Sequence, residues 1–347
     1  MKRLIACGGV ALMSISLLGC GGAGSSGGGK VDRLSGAGSS FVEPMMKKWA
    51  GEYNKAKSVE IDYTSSGSGN GVTQMIEKRN DFGCTDAPMN DEQLDKARKA
   101  GGDVVHVPLV MGGVVPIYNL TGVDKPLRFT GPVLADIFLG KIKKWNDPAI
   151  AKINEGVALP DLAISVAHRS DASGTSYIWT DYLSKVSTEW KEKVGNSTEP
   201  KWPVGAGAPK NPGVAQLVSS TKGALGYVEL IYAEQNPNLK IGAVQNKAGE
   251  FVTASLESVT AAAAGLKDVP PDLRFSLTDP DGKDSYPIAG TVWMVLYTKQ
   301  PEKAAALKDL IHWLTHEGQE YAKGLHYARL PKEMVDQVDK KMELIKP

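Results

Sequence analysis

The sequence predicts an α/β protein of two lobes joined by a two-strand hinge. Three observations predict it. Strand-like alternation and helix-like spacing take turns along the chain. Two long apolar runs, VVHVPLVMGGVVPIY at 104–118 and YPIAGTVWMVLYT at 286–298, stand far apart and have the composition of buried strands. The 347 residues, 42% of them apolar, suffice for two ordinary domains with separate cores. If both runs cross between lobes, residues 32–118 plus 288–347 form lobe I and 119–287 form lobe II, and the paired crossings act as a hinge.

Met1-Lys2-Arg3, a thin apolar stretch and LLGC read as an export signal over 1–19, too short to span a membrane. Leu17-Leu18-Gly19-Cys20 resembles the lipobox of bacterial lipoproteins, which makes Cys20 the acylated first residue of the mature chain and its lipid a membrane anchor. The Gly/Ser-rich stretch over 20–31 then serves as a flexible tether. An exported, periplasmic or cell-surface lipoprotein is expected.

Next, FVEPMMKKWAGEYNKA places Met45, Trp49 and Tyr53 on one helical face, VEIDYTSSG alternates as a strand, and GVTQMIEKRN is a helix starting near Gly71. At the C-terminal end, KAAALKDLIHWLTHEGQEYAKGL carries Leu307, Leu310, Ile311 and Leu314 at helical spacing and should pack back on lobe I. No internal repeat is evident.

Forty basic and 39 acidic residues, without a block of like charge, argue against a nucleic-acid partner. Beyond Cys7 and Cys20 only Cys84 remains, so no disulfide forms within the folded body, and Cys84 reads as a small buried side chain.

Three segments put small hydroxyl or glycine residues immediately before a helix: GAGSSF, SSGSGNG and DASGTS. Each alone is an ordinary N-cap. Three of them beside Arg169 suit a tetrahedral oxyanion, since helix starts offer free N–H donors and arginine offers a rigid fork. Asp171 is placed to pair with that fork. Gly67, Gly69 and Gly71 give GxGxG rather than GxGxxG, no P-loop occurs, and DASGTS lacks the GxSxG elbow of hydrolases.

GAGSSF, SSGSGNGVTQ, DFGCTDAP, IFLGKIKKWNDPAI, RSDASGTS and GALGYVE together resemble, in order and over 32–347, the phosphate-binding proteins of the bacterial Pst ABC transporter. The resemblance implies a two-lobed periplasmic binding protein fold closing on one inorganic phosphate. It further implies delivery to ABC permease membrane subunits driven by a separate ATPase. Carried over by motif, the phosphate-binding residues are Ser40, the Phe41 N–H, Ser68, Asp86, Arg169, Ser173, Gly174 and Thr175, with Asp171 behind the arginine. Ser40 stands where the family often has threonine, and Gly69-Asn70 where Ser-Gly is more usual.

A carboxylate at Asp86 would accept a hydrogen bond from the proton that phosphate still carries at neutral pH and that sulfate lacks. A monomer without cofactor, metal or catalytic residue is expected. Two alternatives stay open: an extracytoplasmic phosphatase or hydrolase using Ser68 or Ser173, and a surface phosphate-sensing or adhesion lipoprotein. His312 and His316, four apart, are read as a solvated helix face rather than a metal site, because HExxH is absent. His106, His168 and His326 are read as ordinary packing or surface residues, and Trp145 and Trp202 as structural.

Overall fold

The computed structural model describes residues 31–123, 125–266 and 269–347; the export signal, Cys20 and the tether up to Lys30 lie outside them. The chain begins with β1 (Arg33–Gly38), α1 (Glu43–Lys57), β2 (Glu60–Ser65), α2 (Ser68–Ile76), β3 (Phe82–Thr85), α3 (Asp91–Ala100) and the long strand β4 (Val104–Tyr118). It continues through β5 (Arg128–Phe129), α4 (Gly131–Phe138), α5 (Pro148–Ile153), β6 (Ser165–Arg169), α6 (Gly174–Val186), α7 (Thr188–Lys193), β7 (Ala206–Ala208), α8 (Lys210–Ser220), β8 (Ala224–Glu229) and α9 (Leu230–Glu234). Then come β9 (Lys240–Ile241), β10 (Ala243–Gln245), β11 (Phe251–Val252), α10 (Leu256–Ala264), β12 (Ala289–Tyr297), α11 (Ala304–Thr315) and α12 (Lys332–Met342). Among the described residues, no helix is long and apolar enough to cross a membrane.

The predicted alternation of strand and helix is therefore present, and it builds a main sheet ordered β2-β1-β3-β12-β4-β8-β6-β7, with β9 against β4. Strands β2, β1 and β3 run parallel, as do β8, β6 and β7. The two apolar runs hold these groups together. Residues 104–113 of β4 pair antiparallel with β12, and residues 114–118 pair antiparallel with β8. Where the partner changes, the chain also returns: the Val114 N–H donates to the Ile288 carbonyl at 2.9 Å, and the Tyr286 hydroxyl donates to the Val114 carbonyl at 2.8 Å. Both faces of such strands are covered, which is why the runs read as continuously apolar. Gly112 does not break β4; a Cβ there would lie 2.8 Å from the Phe41 ring, so the strand needs its smallest residue to let that ring pack.

Near the C-terminus, α11 packs on α1 as expected: the Tyr53 and Trp313 rings meet edge-on at 5.3 Å, and Tyr53 donates to Asp309 at 2.8 Å. The amphipathic segment does not stay one helix to Leu325. It ends at Thr315 and gives way to 3₁₀ turns over Glu317–Tyr321 and Lys323–Leu325, in which Gly318 and Gly324 are poor helix formers. Helix α12 is an addition that the sequence pattern did not suggest, since only Met334 and Val338 of its residues are buried. Trp145 packs against Tyr118 and Phe129, and Trp202 against Phe138, Trp190 and Tyr227, which are structural roles.

Candidate functional site

The carboxyl ends of the parallel strands meet at one place. Beyond β1 come Ser39, Ser40 and Phe41, beyond β3 comes Asp86, and beyond β2 comes the turn into α2. From the other group, β6 ends on Arg169 and leads into α6, β7 leads into α8 with Asn211 in its first turn, and β8 ends on Glu229. Ligands of open α/β sheets bind outside such ends, where neighbouring connections diverge.

Three glycines let these loops touch. Gly67 has φ +90° and lies so close to Asp171 that a Cβ would stand 2.6 Å from its Oδ2. The Gly69 N–H donates to the Ala172 carbonyl at 3.0 Å, and a Cβ on Gly69 would meet the Ala172 Cβ at 2.3 Å. A Cβ on Gly174 would lie 2.6 Å from the Asp86 N and Cβ atoms. Glycine at 69 thus matches a close approach rather than a loosened turn. Helix α2 begins at Ser68, three residues earlier than predicted, because Gly67 takes the cap position with its positive φ. Ser68 is then in the first turn, where its hydroxyl accepts the Asp86 N–H at 3.3 Å.

Asp86 sits at the centre and is 2% exposed. It accepts hydrogen bonds from the Ser39 hydroxyl and, at 3.3 Å, from the Thr175 hydroxyl. Arg169, 3% exposed, forks onto Asp171 through Nε (2.8 Å) and Nη2 (2.6 Å) and turns Nη1 to Thr175 Oγ1 at 3.3 Å. Asn211 Nδ2 donates to Ser40 Oγ at 3.1 Å and to Thr175 Oγ1 at 3.2 Å. Ser173 caps α6, its hydroxyl accepting the Ser176 N–H at 3.1 Å, so the N–H groups of the first turn open beside Asp86.

Burial pushes the Asp86 carboxyl up to about 6, against the hydrogen bond from Ser39 and the charge of Arg169. Burial also raises Asp171, but the Arg169 fork and charge outweigh it and hold that carboxyl below the ordinary range. Asp171 therefore stays ionised and neutralises the arginine in place, leaving a cluster rich in N–H and O–H donors around one buried carboxylate.

The structure brings Ser40, Phe41, Ser68, Asp86, Arg169, Asp171, Ser173, Gly174 and Thr175 into one cluster. The Phe41 N–H donates to Ser39 Oγ at 2.9 Å in this arrangement. Sequence reasoning passed over Ser39, Asn211 and Glu229. Ser39 lies within GSSF, where two adjacent serines compete for the same reading; Asn211 has no local pattern, and Glu229 closes GALGYVE, whose residues do not by themselves point to the cluster. Glu229 is fully buried and burial holds its carboxyl well above the usual range; its Oε2 accepts the Ile231 N–H at 3.1 Å, and its Oε1 has no partner. His168 stacks on Trp202 at 4.9 Å with Nδ1 against the Arg169 carbonyl, and His106 is buried with its Nε2 accepting the Met89 N–H at 3.1 Å. Cys84 is buried, and desolvation raises its thiol far above the ordinary value.

A family model described as the PBP superfamily domain matches residues 23–317. The chain is 46% identical over 313 residues to the phosphate-binding protein PstS of Pasteurella multocida, covering 89% of each chain. It is 44% identical over 315 residues to PstS of Xylella fastidiosa, covering 89% of this chain and 85% of that one. Among solved structures, a high-affinity periplasmic phosphate-binding protein (PfluDING) bound with phosphate shares the fold at a TM-score of 0.71 and 17% identity, over 89% of this chain and 93% of that one. A Clostridium perfringens phosphate ABC transporter substrate-binding protein with bound phosphate shares it at 0.63 and 19%, over 86% and 100%. The strand-end cluster, the matching family model and these relatives together show that the chain belongs to the PstS family of phosphate-binding proteins within the PBP superfamily.

Proposed function

We propose that the protein binds one inorganic phosphate among Ser40, Phe41, Ser68, Asp86, Arg169, Ser173, Gly174 and Thr175, with Asp171 fixing the arginine, and hands it to an ABC permease powered by a separate ATPase. The observation that carries this reading is Asp86: a buried carboxylate surrounded by donors can accept a hydrogen bond from an anion that still holds a proton. Phosphate holds one at neutral pH and sulfate does not, and a site built on that hydrogen bond can discriminate by roughly 10⁴ or more. The dehydrated donors spread the anion's charge without needing a counter-ion for each unit.

Closure follows if 32–118 plus 288–347 and 119–287 move as two lobes about the crossings near Val114 and Ile288. Export by the segment 1–19 and a lipid at Cys20 would hold the protein at a membrane surface within reach of the permease. A role without catalysis fits the placement of His168, which is stacked against Trp202 rather than aimed at Ser68 or Ser173. Calorimetric titration of the chain from Lys30 onward, stripped by unfolding and refolding, tests the reading. Tight one-to-one heat from phosphate and none from sulfate is expected; binding of both, or of neither, would overturn it.

A further inference from the structure

The structure assigns a second, unrelated site: we propose that His312, His316 and Asp339 bind a divalent metal ion of the zinc class and so fasten α12 to α11. His312 and His316 lie one helical turn apart, with ring centroids 3.9 Å from each other. Asp339, from the following helix, completes what the sequence alone lacked. Its Oδ1 is 3.8 Å from His312 Nδ1, its Oδ2 is 3.5 Å from His316 Nε2, and one ligand atom from each residue lies within 4.8 Å of the others.

Two features point to a bound cation. The His316 Nδ1 lies 2.9 Å from the His312 carbonyl, an arrangement in which Nδ1 carries the hydrogen and Nε2 presents its lone pair toward Asp339. A carboxylate facing that nitrogen needs a positive centre between them, which a metal ion supplies as a proton on Nε2 would, and the metal also engages His312. Second, Asp339 Oδ1 is buried and without a hydrogen-bond partner, and both histidine contacts exceed hydrogen-bond length. Two imidazoles and one carboxylate with positions left for water are a donor set suited to zinc, with bonds of about 2.0–2.2 Å. The His312 side chain is half-exposed and its Nδ1 lies 3.8 Å from Asp339 Oδ1.

Tag-free full-length protein, treated with chelator and kept free of phosphate, is titrated with zinc chloride and separately with magnesium chloride. One zinc per chain is expected. At roughly a hundredfold excess over Kd it raises Tm by about 5 °C and slows amide exchange over 334–342. Magnesium should give neither effect. His316→Gln and Asp339→Asn, at partly exposed positions, should each abolish the zinc effect while leaving phosphate affinity unchanged. Zinc binding that is absent, matched by magnesium, or equal in wild type and both variants overturns the proposal.

Discussion

Replacing Asp86 by asparagine separates two roles of the carboxylate, because asparagine keeps the size and an acceptor toward Ser39 and Thr175 while removing the charge. The carboxyl rises from an ordinary 3.8 to about 6 in the folded chain. That gap of about 2 in pKa corresponds to about 3 kcal/mol by which the folded surroundings, burial first and the hydrogen bonds and Arg169 partly offsetting it, disfavour the ionised form. A carboxyl whose folded pKa exceeds its unfolded value contributes stability that is full below about pH 3.8 and is lost as the pH rises through about 6. Ligand-free Asp86→Asn should therefore match wild type near pH 4 and exceed it by about 1–3 kcal/mol at pH 7.5, seen as a higher Tm by calorimetry.

Phosphate binding should move the opposite way. The variant offers an amide N–H where the ligand's hydrogen needs an acceptor, so phosphate weakens while sulfate gains a donor. Discrimination between the two anions should fall by about 100-fold or more in paired titrations. A stability difference that does not grow between pH 4 and 7.5 would refute the burial argument. Sulfate rejection as strong as in wild type would refute the acceptor role.

Arg169→Ala removes the Nη1 contact to Thr175 and the charge beside Asp86, and should weaken phosphate binding by about 2–5 kcal/mol, or about 30- to 5,000-fold in Kd by calorimetry. Gly174→Ala drives a methyl to 2.6 Å from the Asp86 backbone; a loss of about 1–3 kcal/mol in urea unfolding and at least tenfold in affinity is expected. Burial holds the Glu229 carboxyl well above the usual range, favouring the neutral form that glutamine copies in shape, so Glu229→Gln should leave phosphate affinity within about threefold of wild type, and a larger change in paired titrations would refute this.

Much of this was legible in the residues. The alternation of elements, the two covered strands and the packing of Leu307, Leu310, Ile311 and Leu314 follow from periodicity, because side chains of one element share a face at fixed spacing. Arg169 and Asp171 are two apart, so their ion pair is a local event that a local pattern can show. GSSF, GSG and RSDASGTS announce helix starts for the same reason.

Tertiary structure decided what lay between distant segments. Asn211 joins Ser40 across 171 residues and Asp86 meets Thr175 across 89, contacts set by where the β1, β3, β6 and β7 ends converge rather than by anything beside them in the chain. The same holds for Asp339, whose helix carries too narrow an apolar stripe to be seen in sequence, yet packing places it against two histidines that had looked like a solvated face. Local chemistry was written in the sequence because neighbours are fixed by covalent spacing. The shared environment of Asp86, its burial and the donors around it exist only after folding, because desolvation and long-range hydrogen bonds belong to the packed chain and not to any segment of it.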